Sequence, residues 1–251
     1  MIRRLLTAIA FLTRIPINPE QPFDGADVAR STLFFPLVGC LIAAIQIIVI
    51  FMLSQLSVPP LLQALAATAV IALVGGGLHQ DGLADMADGF GGGHTTEDVL
   101  RIMRDSTIGT YGGIALFLSL GTRVVALAEL LAHDVGWRWI VVAAVLSRCS
   151  ICLGWLMPYA RQASGTGASI TQFTGPKEVA GAVLFAIVVG TALVGANIGI
   201  ALLICAIVFM VIAWVCHRRI RGVTGDTLGA STEITEVVLL AAGASLLAGA
   251  Q

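Results

Sequence analysis

The chain has 251 residues, of which 57% are hydrophobic and only 12% are charged. Because a soluble domain usually has about 25% charged residues, this composition excludes an ordinary soluble fold and indicates a membrane protein. The formal net charge of −1 gives no reason to expect a nucleic-acid partner. The five cysteines lie in apolar runs, so we interpret them as small apolar residues rather than as metal or redox ligands.

The N-terminal segment MIRRLLTAIAFLTRIP combines basic and apolar residues but has no small-x-small cleavage site. It is typical of a short amphipathic helix at the membrane interface. Runs long enough to cross a bilayer follow at 33–56, 59–78, 111–132, 138–157, 179–196, 198–216 and 234–250. The sequence therefore predicts an all-α, polytopic membrane bundle of about seven transmembrane helices, forming a single domain over residues 1–251.

Basic residues divide the connecting segments into two sets. If the N-terminus is cytoplasmic, eleven of the 14 lysines and arginines fall in segments 1–32, 79–110, 158–178 and 217–233. Because cytoplasmic loops are enriched in Lys and Arg, this distribution assigns those four segments to the cytoplasm. The polar, glycine-rich stretches lie in the same segments, so we expect the chemistry to face the cytoplasm.

Three aspartates, Asp81, Asp85 and Asp88, follow the second apolar run at positions i, i+4 and i+7. On a helix they fall within about 60° of arc, so their carboxylates point the same way. Like charges this close repel one another, and a cation between them removes the repulsion. Carboxylate oxygens suit Mg²⁺ or Mn²⁺. A solvated acidic helix end is the alternative, but such a face usually contains Lys or Arg as well.

A second acidic group, Asp226, Glu233 and Glu236, leads into the last apolar run. Asp226 and Glu233 are seven positions apart, so a helix aligns them, and Gly225 permits close approach of the backbone. The two acidic groups together could hold one or two divalent ions. The alternative is that these carboxylates only complement the helix macrodipole. His79, beside the first group, could contact a phosphate or orient a ligand.

Candidate cationic groups lie in the same cytoplasmic segments. Arg104 precedes Asp105 and a glycine-containing turn, and its guanidinium offers a bidentate fork for phosphate. Arg161 lies in a further glycine-rich loop. Carboxylates next to cationic groups are typical of phosphoryl transfer, which depends on metal ions and cationic clamps.

Arg123 and Arg148 fall inside apolar runs. An arginine at the centre of a bilayer costs at least about 2.5–3.5 kcal/mol on insertion scales, so each needs a partner or a wet cavity. Glu129, on the neighbouring antiparallel helix, and an anionic substrate are the two candidate partners of Arg148.

Several of these motifs together resemble the cobalamin synthase family, and the similarity runs almost end to end. The segments that carry it are His79-Gln-Asp81-Gly82-Leu-Ala-Asp85-Met-Ala-Asp88-Gly89, Arg101-Ile-Met-Arg104-Asp105-Ser106-Thr-Ile-Gly109-Thr-Tyr-Gly112-Gly113, Thr224-Gly225-Asp226-Thr-Leu-Gly229 with Glu233, Phe11-Leu-Thr13-Arg14-Ile-Pro16 and Phe35-Pro36-Leu-Val-Gly39. The loop at 161–167 departs from the spacing of that family.

The resemblance implies a Mg²⁺-dependent enzyme of the bacterial inner membrane, active in a late step of cobalamin biosynthesis. Its expected substrates are adenosylcobinamide-GDP and α-ribazole or α-ribazole 5′-phosphate. The nucleophile attacks the cobinamide-linked phosphorus, GMP leaves, and adenosylcobalamin or its 5′-phosphate forms. The lipid bilayer is the other expected partner. Whether the chain forms a homo-oligomer is left open by the sequence.

Combined with the resemblance, the residues suggest the following roles. Magnesium is expected to be held by Asp81, Asp85, Asp88, Asp226 and Glu233. Asp88 is the preferred general base, Asp85 shares the catalytic site, and Arg104 neutralises the pyrophosphate. The expected substrate-binding residues are Arg14, His79, Asp105, Arg148, Arg161 and Gly225, with Asp105 orienting Arg104.

Two other functions compete with this one. A CDP-alcohol phosphotransferase also uses an aspartate-rich membrane helix, but its pattern has Ala-Arg after the first Asp-Gly, whereas Leu-Ala-Asp85 follows Asp81-Gly82 here. A divalent-cation transporter would need carboxylates along a path near the middle of the bilayer. The acidic groups of this chain lie at predicted helix ends, which disfavours a transporter.

Overall fold

The structure, a computed structural model, describes residues 1–17, 22–160 and 166–249, and these residues are almost entirely helical. Their α-helices are α1 (Ile2–Leu12), α2 (Gly25–Ser31), α3 (Phe35–Gln55), α4 (Pro60–Gly75), α5 (Leu78–Gly92), α6 (Thr96–Ile102), α7 (Thr110–Leu130), α8 (Trp137–Cys152), α9 (Thr166–Phe173), α10 (Pro176–Val194), α11 (Ile198–Ile220) and α12 (Gly225–Ala248). The predicted all-α class is confirmed.

Five helical segments of the described chain are long and apolar enough to cross a membrane: Gly25–Gln55, Thr110–Leu130, Trp137–Leu156, Pro176–Ile220 and Gly225–Ala248. Helices α4 and α5 pass the same test only as a pair, and they are bent by 88°. The polytopic class therefore agrees with the sequence, while the number seven stays a prediction.

Helices α10 and α11 fold back on each other at a short 3₁₀ turn, Gly195–Asn197. Gly195 has a φ of 57°, a conformation that side chains other than glycine rarely adopt. Ala186 of α10 and Cys205 of α11 line one cleft against Cys149 of α8. A straight helix would hold these two residues well apart, so the chain reverses at Gly195.

Helix α8 forms the centre of the bundle, and small residues let its neighbours approach closely. A Cβ at Gly39 of α3 would lie 2.5 Å from the carbonyl oxygen of Ala144 on α8. At the other end of α8, the ring of Trp139 lies against Gly243 of α12 and is buried. The large apolar side chains of α3, α4, α7, α10 and α11 that remain exposed face outward, where lipid would cover them.

Segments that the charge pattern assigned to one membrane side do meet at one end of the bundle. The Arg14 N–H donates to the Val74 carbonyl at 2.6 Å, and the Ala160 N–H donates to the Val223 carbonyl at 2.9 Å. The Thr96 hydroxyl donates to the Arg219 carbonyl at 3.0 Å. These bonds join the N-terminal segment to the end of α4, the segment after α8 to the α11–α12 connection, and the start of α6 to the end of α11.

Two glycines turn the chain between α4 and α5. Gly76 and Gly77 have φ angles of 64° and 70°, and two successive left-handed residues reverse the helix direction sharply. Helix α5, which contains the aspartate row, packs on α7 and α12 rather than continuing α4. This elbow, formed by Gly76 and Gly77, therefore turns α5 away from α4 by 88° and sets it beside the first turns of α7 and α12.

Candidate active site

A cleft of about 600 Å³ opens at the elbow between α4 and α5. Its walls come from the end of α1, the elbow, the start of α5 and the start of α7, through Ala10, Phe11, Thr13, Arg14, Gly75, Gly76, Gly77, Leu78, Gln80, Asp81, Ala84, Ile108 and Leu116. Arg14 and Asp81 give it one cation and one exposed carboxylate. A cleft with both signs of charge can bind an anionic group and a cation together.

Arg14 lies directly over the elbow. A Cβ at Gly76 would overlap the Nε and the stem of the Arg14 side chain, so only glycine leaves room for it. Because Gly76 also has a positive φ, this position combines two requirements for glycine. The elbow thus holds the aliphatic part of the Arg14 side chain against the cleft that Asp81 also lines.

The three aspartates of α5 have different surroundings. Asp81 is exposed and lines the cleft, whereas Asp85 and Asp88 are half-buried. One Asp88 oxygen accepts a hydrogen bond from the Gly109 N–H at 2.7 Å, and the other accepts one from the Gly112 N–H at 2.9 Å. Asp88 therefore satisfies free N–H groups at the start of α7, where a negative charge is favourable.

The N–H groups of the glycine turn before α7 are used within the protein. Gly109 and Gly112 donate to a carboxylate of the protein itself. A Cβ at Gly112 would overlap the Asp88 carboxylate, so glycine is needed for the contact. Ile108, next to Gly109, lines the cleft. Asp88 consequently fixes a cleft-lining loop.

Helices α5 and α12 cross where Gly82 meets Asp226. A Cβ at Gly82 would lie 2.6 Å from the Asp226 carbonyl oxygen and 3.1 Å from its Cα. The start of α12 is fixed by a capping box, in which Thr224 and Thr227 exchange side-chain and backbone hydrogen bonds. The two predicted acidic groups therefore do meet, with Asp226 beside the turn of α5 that carries Asp81 and Asp85.

The described residues contain no group of three or more His, Cys, Asp or Glu side chains placed to hold a metal ion. A complete cage of protein carboxylates is thus not formed there. Mg²⁺, however, usually takes only one or two carboxylates and completes its shell with water and substrate phosphate. An exposed Asp81 beside the α5–α12 crossing fits an ion shared with a pyrophosphate.

Glu233 points away from this arrangement, which corrects the expectation that it binds the metal. Its side chain is 1% exposed. Its oxygens accept hydrogen bonds from Gln80 Nε2 at 2.7 Å, Ser119 Oγ at 2.7 Å and Arg123 Nη2 at 3.0 Å. A buried carboxylate that is already paired with a guanidinium has no need of a metal ion to balance its charge.

Arg148 also has a partner inside the protein. This partner is neither of the two candidates expected for it, Glu129 and a substrate. Its guanidinium pairs with Glu236, which also accepts a hydrogen bond from Arg123 Nη1 at 2.6 Å. Arg148 is buried, and it contacts Ser147 as well. Two arginines and two glutamates therefore form one buried, charge-balanced network between α7, α8 and α12.

The remaining expected site residues are placed as follows. Arg104 is exposed on the loop before α7. Asp105 accepts hydrogen bonds from the Thr107 N–H at 3.0 Å and from the Thr107 hydroxyl, rather than orienting Arg104 as expected. These bonds hold the pKa of Asp105 below its usual value.

His79 is buried, and its neighbours Leu78 and Gln80 face the cleft in its place. Gly225 begins α12, and its backbone packs against Gly167. Arg161 lies outside the described residues.

Sequence reasoning missed the partners of the arginines inside the membrane, although a signal was present. Helices α7 and α12 begin at the same end of the bundle, and Arg123 and Glu236 lie 13 and 11 residues into them. At 1.5 Å of rise per residue they reach depths that differ by only about 3 Å. Opposite charges at equal depth in helices of one bundle are natural partners. The sequence analysis instead treated Glu236 as part of a helix end.

Comparison with known proteins gives consistent results. Residues 4–244 match the family model described as cobalamin-5-phosphate synthase. A relative from Rhizobium etli (strain CIAT 652), named adenosylcobinamide-GDP ribazoletransferase, is 41% identical, covering 96% of this chain and 95% of its own. Relatives of the same name from Bradyrhizobium diazoefficiens and Clostridium tetani are 36% and 31% identical, covering 99% and 98% of this chain and 96% and 98% of their own. No solved structure matches.

Proposed function

The chain belongs to the cobalamin-5-phosphate synthase family, and from that premise we propose that it joins α-ribazole, or its 5′-phosphate, to adenosylcobinamide-GDP and releases GMP. The relatives' name, adenosylcobinamide-GDP ribazoletransferase, supplies the substrates. The observation that carries the proposal to this molecule is the cleft that Arg14 and Asp81 both line. A pyrophosphate bond and its counter-ion are the kind of ligand that such a pair of charges would bind.

In the proposed reaction a ribose hydroxyl of α-ribazole attacks the phosphorus that is attached to cobinamide. The new P–O bond forms as the bond to the bridging oxygen breaks, and the electron pair leaves on GMP. The hydroxyl loses its proton to a base within hydrogen-bond reach. The product is adenosylcobalamin, or its 5′-phosphate when α-ribazole 5′-phosphate is the substrate.

We assign substrate binding, metal binding and proton abstraction to residues in or near the cleft. Arg14 neutralises a pyrophosphate oxygen, and Arg104, on the exposed loop that ends at cleft-lining Ile108, supplies a second cation. Asp81, with Asp226 and Asp85 nearby, would hold Mg²⁺, which when bound neutralises phosphoryl oxygens. Because both Asp88 oxygens already accept backbone N–H bonds, we propose Asp81 as the base and Asp88 as the residue that fixes the loop.

Turnover by the detergent-purified protein tests the reaction. Adenosylcobinamide-GDP and α-ribazole are supplied with Mg²⁺ or with EDTA, and products are read by mass spectrometry. Mg²⁺-dependent formation of adenosylcobalamin and GMP supports the proposal. Asp81→Asn should reduce turnover at least about a hundredfold, while Asp134→Asn, an exposed acid in the turn at the far end of α7, should leave it unchanged. A folded preparation without product, given verified substrates, would refute the reaction.

The same preparation also separates the competing functions. Release of CMP from CDP-diacylglycerol would instead indicate a CDP-alcohol phosphotransferase. Uptake of Mg²⁺ into proteoliposomes would indicate a transporter. Glu233 and Glu236 are carboxylates inside α12, but each is bonded to an arginine, and a charge-balanced network gives an ion no open carboxylate path.

We further propose that the cleft faces the cytoplasm across a bacterial inner membrane. The arginine- and lysine-rich segments support this orientation, because they gather at the end of the bundle that contains the cleft. The C-terminus of α12 lies at the opposite end of that helix. A reporter fused to the C-terminus should therefore be active only outside the cytoplasm, and cytoplasmic activity would reverse the orientation.

A further inference from the structure

We propose that Gln80 and Glu233 are positioning residues, which hold Asp81 toward the cleft by fixing the rotation of α5 about its own axis. The inference rests on the proposed function for its kinetic test, but not for its structural one. Gln80 Nε2 donates to Glu233 Oε2 at 2.7 Å. This bond joins the buried charge network to the residue next to Asp81.

The elbow makes such an anchor necessary. Helix α5 follows two successive residues with positive φ, and it is bent by 88° from α4. A helix that leaves such a turn does not inherit its orientation from the helix before it. Its own residues must fix which side faces the bundle. At the far end Asp88 does this through the start of α7, and at the near end the structure offers the Gln80–Glu233 bond.

Helical geometry explains why Gln80 controls Asp81. Consecutive residues of an α-helix are separated by about 100°, so the Gln80 amide can reach inward although Gln80 and Asp81 both line the cleft. The Gln80 amide reaches inward to a carboxylate that is 1% exposed, while Asp81 is exposed in the cleft. A rotation that broke the Gln80 bond would carry Asp81 with it. Placement errors of about 1 Å are enough to cost a large factor in rate.

Glu233 is a rigid point of attachment. Arg123 Nη2 lies 3.0 Å from both of its oxygens, and Ser119 Oγ donates to one of them at 2.7 Å. Arg123 in turn binds Glu236, which pairs with Arg148. Three helices, α7, α8 and α12, therefore determine the position of the oxygen that Gln80 binds.

Charge exchange gives a sharp test. Gln80→Glu places two carboxylates against each other and should lower kcat about tenfold or more, with KM for both substrates nearly unchanged. Adding Glu233→Gln restores a hydrogen bond with donor and acceptor exchanged and keeps the total charge of the network. The double variant should recover most of the lost kcat. Gln46→Leu, which removes another buried amide, on α3, is the control and should keep full turnover.

A second measurement does not depend on turnover. In an Asp81→Cys background, a water-soluble maleimide should label position 81 readily, and mass spectrometry of the peptide separates it from the native cysteines. Adding Gln80→Glu should slow the labelling about tenfold, and further adding Glu233→Gln should restore it. Thermal unfolding in detergent confirms that each variant is folded.

The outcomes are distinguishable. Recovery of both kcat and labelling in the exchanged pair supports positioning. Loss of activity through a raised KM that the exchange does not repair would mean that Gln80 contacts substrate directly, and it would overturn the inference. Unchanged labelling in folded Gln80→Glu would overturn it as well. If the unmodified protein makes no product, the proposed function fails, while labelling still decides whether Gln80 positions α5.

Discussion

Asp88 and Gly112 join α5 to α7 by a hydrogen bond of 2.9 Å from the glycine N–H to the carboxylate. Gly112→Ala would place a methyl group on that carboxylate, so we expect turnover to fall about tenfold or more, as for Asp88→Asn. Kinetics of the purified variants measures this. Gly113→Ala, one residue later, adds a methyl group with no atom within 4 Å and should keep normal turnover. Equal activity of the two alanine variants would contradict the proposed contact.

The crossing of α5 and α12 predicts a second glycine effect. Gly82→Ala would bring a Cβ within 2.6 Å of the Asp226 carbonyl oxygen, and the helices would have to separate. We expect the free energy of unfolding to fall by about 1–3 kcal/mol, which lowers the thermal midpoint. We also expect weaker activation by Mg²⁺. Gly121→Ala, which has nothing within 4 Å, is the matched control. A normal Mg²⁺ response in Gly82→Ala would separate Asp226 from the metal.

The buried network predicts a large stability effect at Glu236. Glu236→Gln leaves Arg123 and Arg148 with one carboxylate between them, and breaking a buried ion pair costs about 3–5 kcal/mol. Unfolding in detergent should show this loss. Glu129→Gln, at an exposed position near the end of α7, should change the unfolding free energy little. Similar small losses in both variants would argue that water reaches the network.

Arg219 stabilises the far end of α5. Its Nη2 donates to the carbonyl oxygens of Phe90 and Gly93, the latter at 2.7 Å, where the last carbonyl groups of a helix lack partners. Arg219→Met should therefore lower the thermal midpoint and slow turnover. Arg218→Met changes the adjacent exposed arginine, which lies 5.3 Å over the Trp214 ring, and should do neither. A reversed order of effects would exclude this role.

The loop before α7 predicts a pH effect. The Thr107 N–H and hydroxyl lower the pKa of Asp105 from its usual 3.8. Because the folded pKa is lowered, the turn is stabilised above pH 3.8, and this stabilisation disappears as the pH falls through the lowered value. Thr107→Val should raise the pKa of Asp105 in an NMR titration of its carboxyl carbon. Ser106→Ala should not, and equal values in both variants would show that the hydroxyl has no effect.

The helical class and the acidic row on α5 could be predicted, because both depend on local pattern. The use made of each carboxylate could not. Asp81, Asp85 and Asp88 look equivalent along the sequence, yet only packing against α7 commits Asp88 to backbone N–H groups. Likewise, the metal role expected of Glu233 assumed that its segment stays near the membrane surface, whereas α12 begins at Gly225 and carries Glu233 into the bundle.

The charge network also constrains the order in which the protein can be assembled. Arg123 and Arg148 belong to α7 and α8, whereas both of their carboxylate partners belong to α12. During synthesis from the N-terminus, these two arginines enter the membrane before any partner exists, each at a cost of at least about 2.5 kcal/mol. The last helix therefore completes the membrane insertion of helices made well before it. A chain that stops before α12 would leave two unpaired cations inside the bilayer.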